Sequence, residues 1–149
     1  MSWINKKSGP ASLEVSCTDL SSKLNGKLNA VYFGDFSGEL FEAFITIAKQ
    51  NEKYAFFQAS GDCAASNGAK SHSIMVTRNF DESPIYYNGE SNTGDIQNWL
   101  DLSAIPVVIE FSEDFIEPIF GKSRPALILF TNDRDASYNK IFSDAASAL

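Results

Sequence analysis

The stretch Asn29–Ala48, NAVYFGDFSGELFEAFITIA, constrains the fold more than any other. Ala30-Val31-Tyr32-Phe33 is an apolar run with no polar stripe, the pattern of a strand covered on both faces. Gly34-Asp35-Phe36-Ser37-Gly38 breaks the run, and Ser37 stands where it can cap a helix beginning at Glu39. From Glu39 onward Leu40, Phe41, Phe44, Ile45 and Ala48 recur at helical spacing. A buried strand, a tight turn and an amphipathic helix make the front half of a βαβ unit. In open α/β sheets the turn at the carboxyl end of a central strand is where chemistry usually sits. Here it holds Asp35, Phe36, Ser37, Gly38 and Glu39, with no cysteine, histidine or lysine. The turn is chemically empty.

The 149 residues suffice for one domain with a proper core, or a small domain plus part of another. Hydrophobic residues make up 44% and twelve phenylalanines are present, so the chain is globular rather than disordered. A net charge of −7 argues against nucleic acid, which requires basic patches, and reads as solubility. No apolar run approaches the roughly twenty residues of a membrane span. The start, Met-Ser-Trp-Ile-Asn-Lys-Lys, lacks the apolar core of a signal peptide, and no retention tetrapeptide closes the sequence. Cys17 and Cys63 form no C-x-x-C, and with one histidine they cannot build a zinc site. No metal ligand set and no cofactor is expected.

In chain order, Trp3–Lys7 reads as the last turn of a helix stopped by Gly9-Pro10, the tail of a preceding domain in a longer protein. Ser12–Cys17 reads as a strand, followed by a short helix capped by Thr18 or Asp19, carrying Leu20 and Leu24 and ended by Asn25-Gly26. After the central strand and helix come a strand at Tyr54–Ala59 and a brief helix or turn around Cys63–Asn67. Strands at Ser73–Arg78 and Pro84–Tyr87 form a hairpin across a loop Asn79–Ser83. A helix capped by Asn92 or Thr93 carries Ile96, Trp99 and Leu100. The order β-α-β-α-β-α-β-β-α specifies a central mixed sheet flanked by helices, with three parallel strands and an antiparallel hairpin. Beyond Pro106 the pattern restarts: a strand at Val107–Phe111, a helix at Glu113–Phe120 bent or broken at Pro118, a buried strand at Ala126–Thr131, then a helix with Tyr138, Ile141, Phe142, Ala145 and Leu149 on one face.

This restart is an internal repeat. At one constant offset, Trp3 pairs with Trp99, Pro10 with Pro106, Glu14 with Glu110, Ser16 with Ser112 and Ala30 with Ala126. The expected division is 1–10, the tail of one domain; 11–104, a complete domain; and 105–149, the first half of a third.

WINKKSGPA (Trp3–Ala11), DIQNWLDLSAIPVVIEFSED (Asp95–Asp114) and IFGKSRPALILFTND (Ile119–Asp133) resemble the tandem thioredoxin-fold domains of the protein disulfide isomerase family. They are similar, respectively, to the end of its first catalytic domain, to the join between its b and b′ domains, and to an early b′ strand. The family's catalytic domains carry C-G-H-C after their central strand and a cis-proline before their fourth. Phe36–Glu39 stands where the cysteines would be and Ser71-His72-Ser73 where the proline would be. Without a thiolate at a helix amino terminus the domain is expected to be redox-silent. The resemblance implies a non-catalytic b domain with the beginning of b′, in the endoplasmic reticulum lumen, spacing catalytic domains and helping to hold unfolded polypeptides. It implies neighbouring thioredoxin-like domains as partners, and no nucleic acid or membrane.

In that fold the strands leading to Cys17 and Cys63 are neighbours. Three readings are open: buried free thiols, which come first; a structural disulfide; or a redox-sensing thiol. His72 and Asp35 read as surface or turn residues, and Trp3 and Trp99 as packing at the interdomain join. The family's b′ domain holds an apolar polypeptide site, and Ile105, Val107 and Phe120 fall on positions that line it, with Phe130 as an addition; ordinary core is the competing reading. Two other functions remain open: a one-cysteine thiol oxidoreductase using Cys63, and an acidic calsequestrin-like calcium-binding module, although the 19 acids are not massed in runs. A half-domain leaves the Ala126–Thr131 strand edge uncovered and bares the helical face of Tyr138, Ile141 and Phe142, so the third segment is expected to be swapped, dimerised or poorly packed.

Overall fold

The computed structural model describes residues 9–24, 28–121, 125–133 and 137–148. The chain divides into two units, Met1–Ala104 and Ile105–Leu149. The helical tail expected at Trp3–Lys7, and the helix stop at Asn25-Gly26, lie outside the described residues.

In the first unit the elements run β1 (Leu13–Glu14), α1 (Cys17–Lys23), β2 (Asn29–Phe33), α2 (Glu39–Gln50), β3 (Ala55–Ala59), α3 (Asp62–Ser66), β4 (Ser73–Arg78), β5 (Asp81–Tyr87) and α4 (Thr93–Ser103). They build one five-stranded sheet in the order β1-β3-β2-β4-β5. β3 pairs parallel with β1 and β2, and β4 pairs antiparallel with β2 and β5. This is the mixed α/β sheet expected of a thioredoxin-like fold.

All five residues of β2 are buried, because helices cover both faces of the sheet. Successive side chains alternate between two clusters, as the pleat requires. Ala30, Tyr32, Phe56, Ile74 and Val76 pack with Phe44 and Ile47 of α2 and Ile96 and Leu100 of α4. Val31, Phe33, Phe57 and Met75 pack on the other side with Leu20 of α1 and Cys63 and Ala64 of α3. Each large apolar side chain taken fully from water contributes about 1.5–3 kcal/mol.

Several local expectations are corrected. The first strand ends at Glu14, and Cys17 opens α1 rather than closing the strand. The cap is Ser16, not Thr18 or Asp19: its Oγ accepts from the Asp19 amide at 3.2 Å. Ser37 does not cap α2. Gly38 does, without a side-chain bond and at φ 92°, a conformation open to glycine. The hairpin loop is only Asn79-Phe80, because Arg78 bonds Asp81 at 2.6 Å and lies over the Phe80 ring, drawing β5 back to Asp81. Pro84 therefore lies inside β5, tolerated because β5 is an edge strand. For α4 the expectation holds: of the two caps offered, Asn92 serves, its side chain accepting from the Asp95 amide at 2.8 Å. Trp99 packs on Tyr87 of β5, ring centroids 5.2 Å apart. Trp3 lies outside the described residues.

The second unit holds α5 (Glu113–Ile116), a π-helical turn at Glu117–Gly121, and α6 (Ser137–Ser147). The π turn contains Pro118, which has no amide hydrogen to continue an α-helical ladder, so the break falls where expected. Neither expected strand forms: Val107–Phe111 and Ala126–Thr131 join no ladder. Leu127 and Phe130 are 80% and 89% exposed. No residue of α6 is buried, and Tyr138 and Ile141 are exposed. A strand stands only against a neighbour that takes up its amides and carbonyls, and among the described residues this unit supplies none.

Candidate functional site

The carboxyl ends of the parallel strands, where this architecture places chemistry, bring together the turn after β2, the segment before β4 and the joint between β3 and α3. The Tyr32 hydroxyl donates to the Asp35 carbonyl at 3.0 Å and folds the turn back on its strand. Burial, and secondarily the Asp35 charge, push the Tyr32 hydroxyl pKa up. Gly34 sits at φ 151°, and a Cβ there would stand 3.2 Å from the His72 Cα, so only glycine lets the two backbones approach this closely.

His72 holds φ 59° and its Nε2 lies 3.5 Å from Asp35 Oδ2, both side chains being mostly exposed. This pairing of residues far apart in the chain was not legible in the sequence. Its exposure makes it worth little to stability. Phe36 is 39% exposed and stacks on Phe41, centroids 5.6 Å apart. The positions that match the cysteine pair of the family's catalytic domains thus hold a partly exposed aromatic and its neighbours, as expected from the sequence. Among the described residues no peptide bond is cis.

Sulfur appears one strand away. Cys17 and Cys63 form a disulfide, Cα–Cα 5.1 Å, which corrects the preference for free thiols. The pairing ties the first residue of α1 to α3. Cys17 is exposed, whereas Cys63 is buried and has Ser60 Oγ 3.6 Å from its sulfur. Beside the bond is an open depression of about 500 Å³ lined by Glu14, Val15, Ser16, Cys17, Ser60 and Cys63. Both cysteines are bonded in this structure. Sequence spacing does not decide whether two cysteines 46 positions apart are bonded. The Ser16-x-x-Asp19 pattern was a capping signal that could have placed the helix start, and with it Cys17.

The four apolar residues expected to hold polypeptide all lie in the second unit. Val107, Phe120 and Phe130 are 62%, 48% and 89% exposed, and Ile105 is half-buried. They stand on three segments: the irregular stretch before α5, the π turn, and the unpaired stretch before α6. None joins either buried cluster among the described residues. Among the described residues, no group of three or more His, Cys, Asp or Glu is placed to hold a metal ion, and no helix is long and apolar enough to cross a membrane.

The profile of the thioredoxin-like domain family matches residues 33–149. Curated relatives include protein disulfide-isomerases of Drosophila melanogaster, 23% identical over 97% of this chain and 30% of that protein, and of Aspergillus niger, 26% identical over 98% of this chain and 30% of that protein. A third, from Ricinus communis, is 28% identical over 90% of this chain and 27% of that protein. The chain thus spans less than a third of the length of these relatives. Among solved structures, human ERp44 in its zinc-bound form aligns with a TM-score of 0.55 at 20% identity, covering 99% of this chain and 43% of that one. The J-Trx1 fragment of ERdj5 aligns with a TM-score of 0.58 at 17% identity, over 71% of this chain and 56% of that one. These two structures support the fold. With the sheet order, the empty turn and the family match in hand, the chain belongs to the thioredoxin-like domain family.

Proposed function

We propose that the chain is a thioredoxin-fold module of a protein disulfide isomerase, redox-inactive at its central turn and acting in the endoplasmic reticulum lumen. There it spaces catalytic domains and helps to bind unfolded polypeptide. The observation that carries this reading is the division of labour between the two units. The first has a filled sheet whose central turn holds Asp35-Phe36-Ser37-Gly38 and no cysteine. The second presents large apolar side chains to solvent at Val107, Phe120 and Phe130. Apolar contact is non-directional and so tolerates many sequences, which suits a surface that holds unfolded chains. Resemblance to disulfide isomerases along the whole chain supports the same reading. Partners are then unfolded or partly folded polypeptides, neighbouring domains of the same protein, and a second copy of the second unit. The boundary between the b-like and b′-like parts is proposed at Ala104/Ile105.

The test is anisotropy of a fluorescent, reduced and alkylated polypeptide titrated with the chain. Replacing Val107, Phe120 and Phe130 together by aspartate is expected to weaken binding at least tenfold while the first unit melts unchanged. Unaltered binding would reject the polypeptide site. Sedimentation velocity of both proteins reads the self-association directly.

A further inference from the structure

The two sulfurs of the single disulfide differ in access. Cys17 is exposed at the start of α1, whereas Cys63 is 1% exposed and packs in the cluster of Leu20, Phe33 and Ala64. Exchange begins when a thiolate attacks one sulfur in line with the bond, and access selects which one. The open depression at the carboxyl ends of β1 and β3 is lined by both cysteines, which offers an incoming thiol a route to Cys17 from the surface. We propose that Cys17–Cys63 is a site of stoichiometric thiol exchange, polarised so that an incoming thiolate bonds to Cys17 and expels Cys63.

In the first step the new S–S bond joins the incoming sulfur to Cys17 Sγ and the Cys17–Cys63 bond breaks. The electron pair passes to Cys63 Sγ, which takes a proton from solvent. Ser60 Oγ, 3.6 Å from that sulfur, is placed to donate to it as charge develops. A second thiolate attacking the mixed disulfide completes a two-electron reduction, leaving two protein thiols and the disulfide of the attacking thiol. Glu14 is the one ionised group lining the depression, so thiols without added negative charge are the class that enters. The consequence is local. β1 has two residues, and its ladder to β3 is extended by one bond from the Val15 amide to the Gln58 carbonyl at 2.9 Å. Opening the disulfide leaves β1 and α1 held by that short ladder, by the Ser12 hydroxyl donating to the Gln58 side-chain oxygen, and by the packing of Leu20, Val15 and Leu24, and loosens the cover over the outer edge of β3.

The experiment treats the full chain with cysteamine, 3-mercaptopropionate or a Lys-Cys-Lys peptide at equal thiolate concentration and low salt. Timed samples are quenched in excess iodoacetamide and mapped by peptide mass spectrometry. The expected species carries the mixed disulfide on Cys17 and the alkyl group on Cys63. Cysteamine should react at least threefold faster than 3-mercaptopropionate, a gap that narrows with added salt. A peptide that reacts as fast as cysteamine assigns the site to polypeptide thiols, and its exclusion assigns it to small thiols. A mixed disulfide chiefly on Cys63, or exchange only at the rate of global unfolding in a urea series, overturns the proposal. Equal rates for the two small thiols overturn the charge preference. The outcome is independent of whether the second unit binds polypeptide.

Discussion

β2 and the stretch Ala126–Thr131 look alike as strings: AVYF and ALILFT are both short apolar runs followed by a helix, aligned by the internal repeat. In the first unit every residue of the run is buried between two helical layers and bonded to strands on both sides. In the second, Leu127 is 80% and Phe130 89% exposed, and no ladder forms. The difference teaches that an apolar run states a demand for neighbours rather than a structure. β2 meets that demand through β3 and β4, which come later in the chain. The second run has no such partners among the described residues, and its helix α6 likewise buries nothing.

The sharpest way to break this comparison is to truncate one aromatic in each unit. Phe44→Ala removes a fully buried ring from the first unit and is expected to cost about 3–5 kcal/mol, whereas Phe130→Ala should stay within about 0.5 kcal/mol, both read from urea unfolding. Equal costs would show that the second unit has a core of its own.

Next comes the cross-link. Replacing Cys17 and Cys63 together by alanine removes a tie across 46 positions and should destabilise the first unit by about 2–4 kcal/mol. The helical signal of α6 should not change, since the bond lies wholly in the first unit.

Alkali provides a third measure. Burial is the main cause raising the pKa of Tyr54, Tyr32 and Tyr87, all in the first unit. A hydroxyl whose pKa rises on folding contributes stability that is present in full below the unfolded value, about 10 for tyrosine, and is lost as pH climbs through the folded one. The urea midpoint should therefore hold steady to near pH 10 and then fall. Tyr54→Phe should shallow that fall. At neutral pH it should cost about 1–2 kcal/mol, because it deletes the bond donated to the Leu100 carbonyl at 2.7 Å. A midpoint indifferent to alkali would contradict the burial of these rings.

The smallest contrast is between two serines at matching positions of the repeat. Ser16 accepts from the Asp19 amide and caps α1, while Ser112 precedes α5 and makes no side-chain cap bond. Ser16→Ala should cost about 0.5–1 kcal/mol and Ser112→Ala nothing measurable by thermal melting.

What the sequence by itself determined are features carried by near neighbours in the chain. The buried run Ala30–Phe33, the glycine-bounded turn and the apolar stripe of α2 come from periodicity and turn chemistry, so the fold class and the absence of sulfur at the central turn were legible. The exposed ends of the site were legible only as residue types. Only the tertiary structure decided that Cys17 and Cys63 meet, that His72 faces Asp35, and that Val107–Phe111 and Ala126–Thr131 remain unpaired. Each of these depends on groups distant in sequence arriving at one place. No local pattern encodes that arrival, since hydrogen-bond partners and burial are properties of the assembled sheet rather than of the segment.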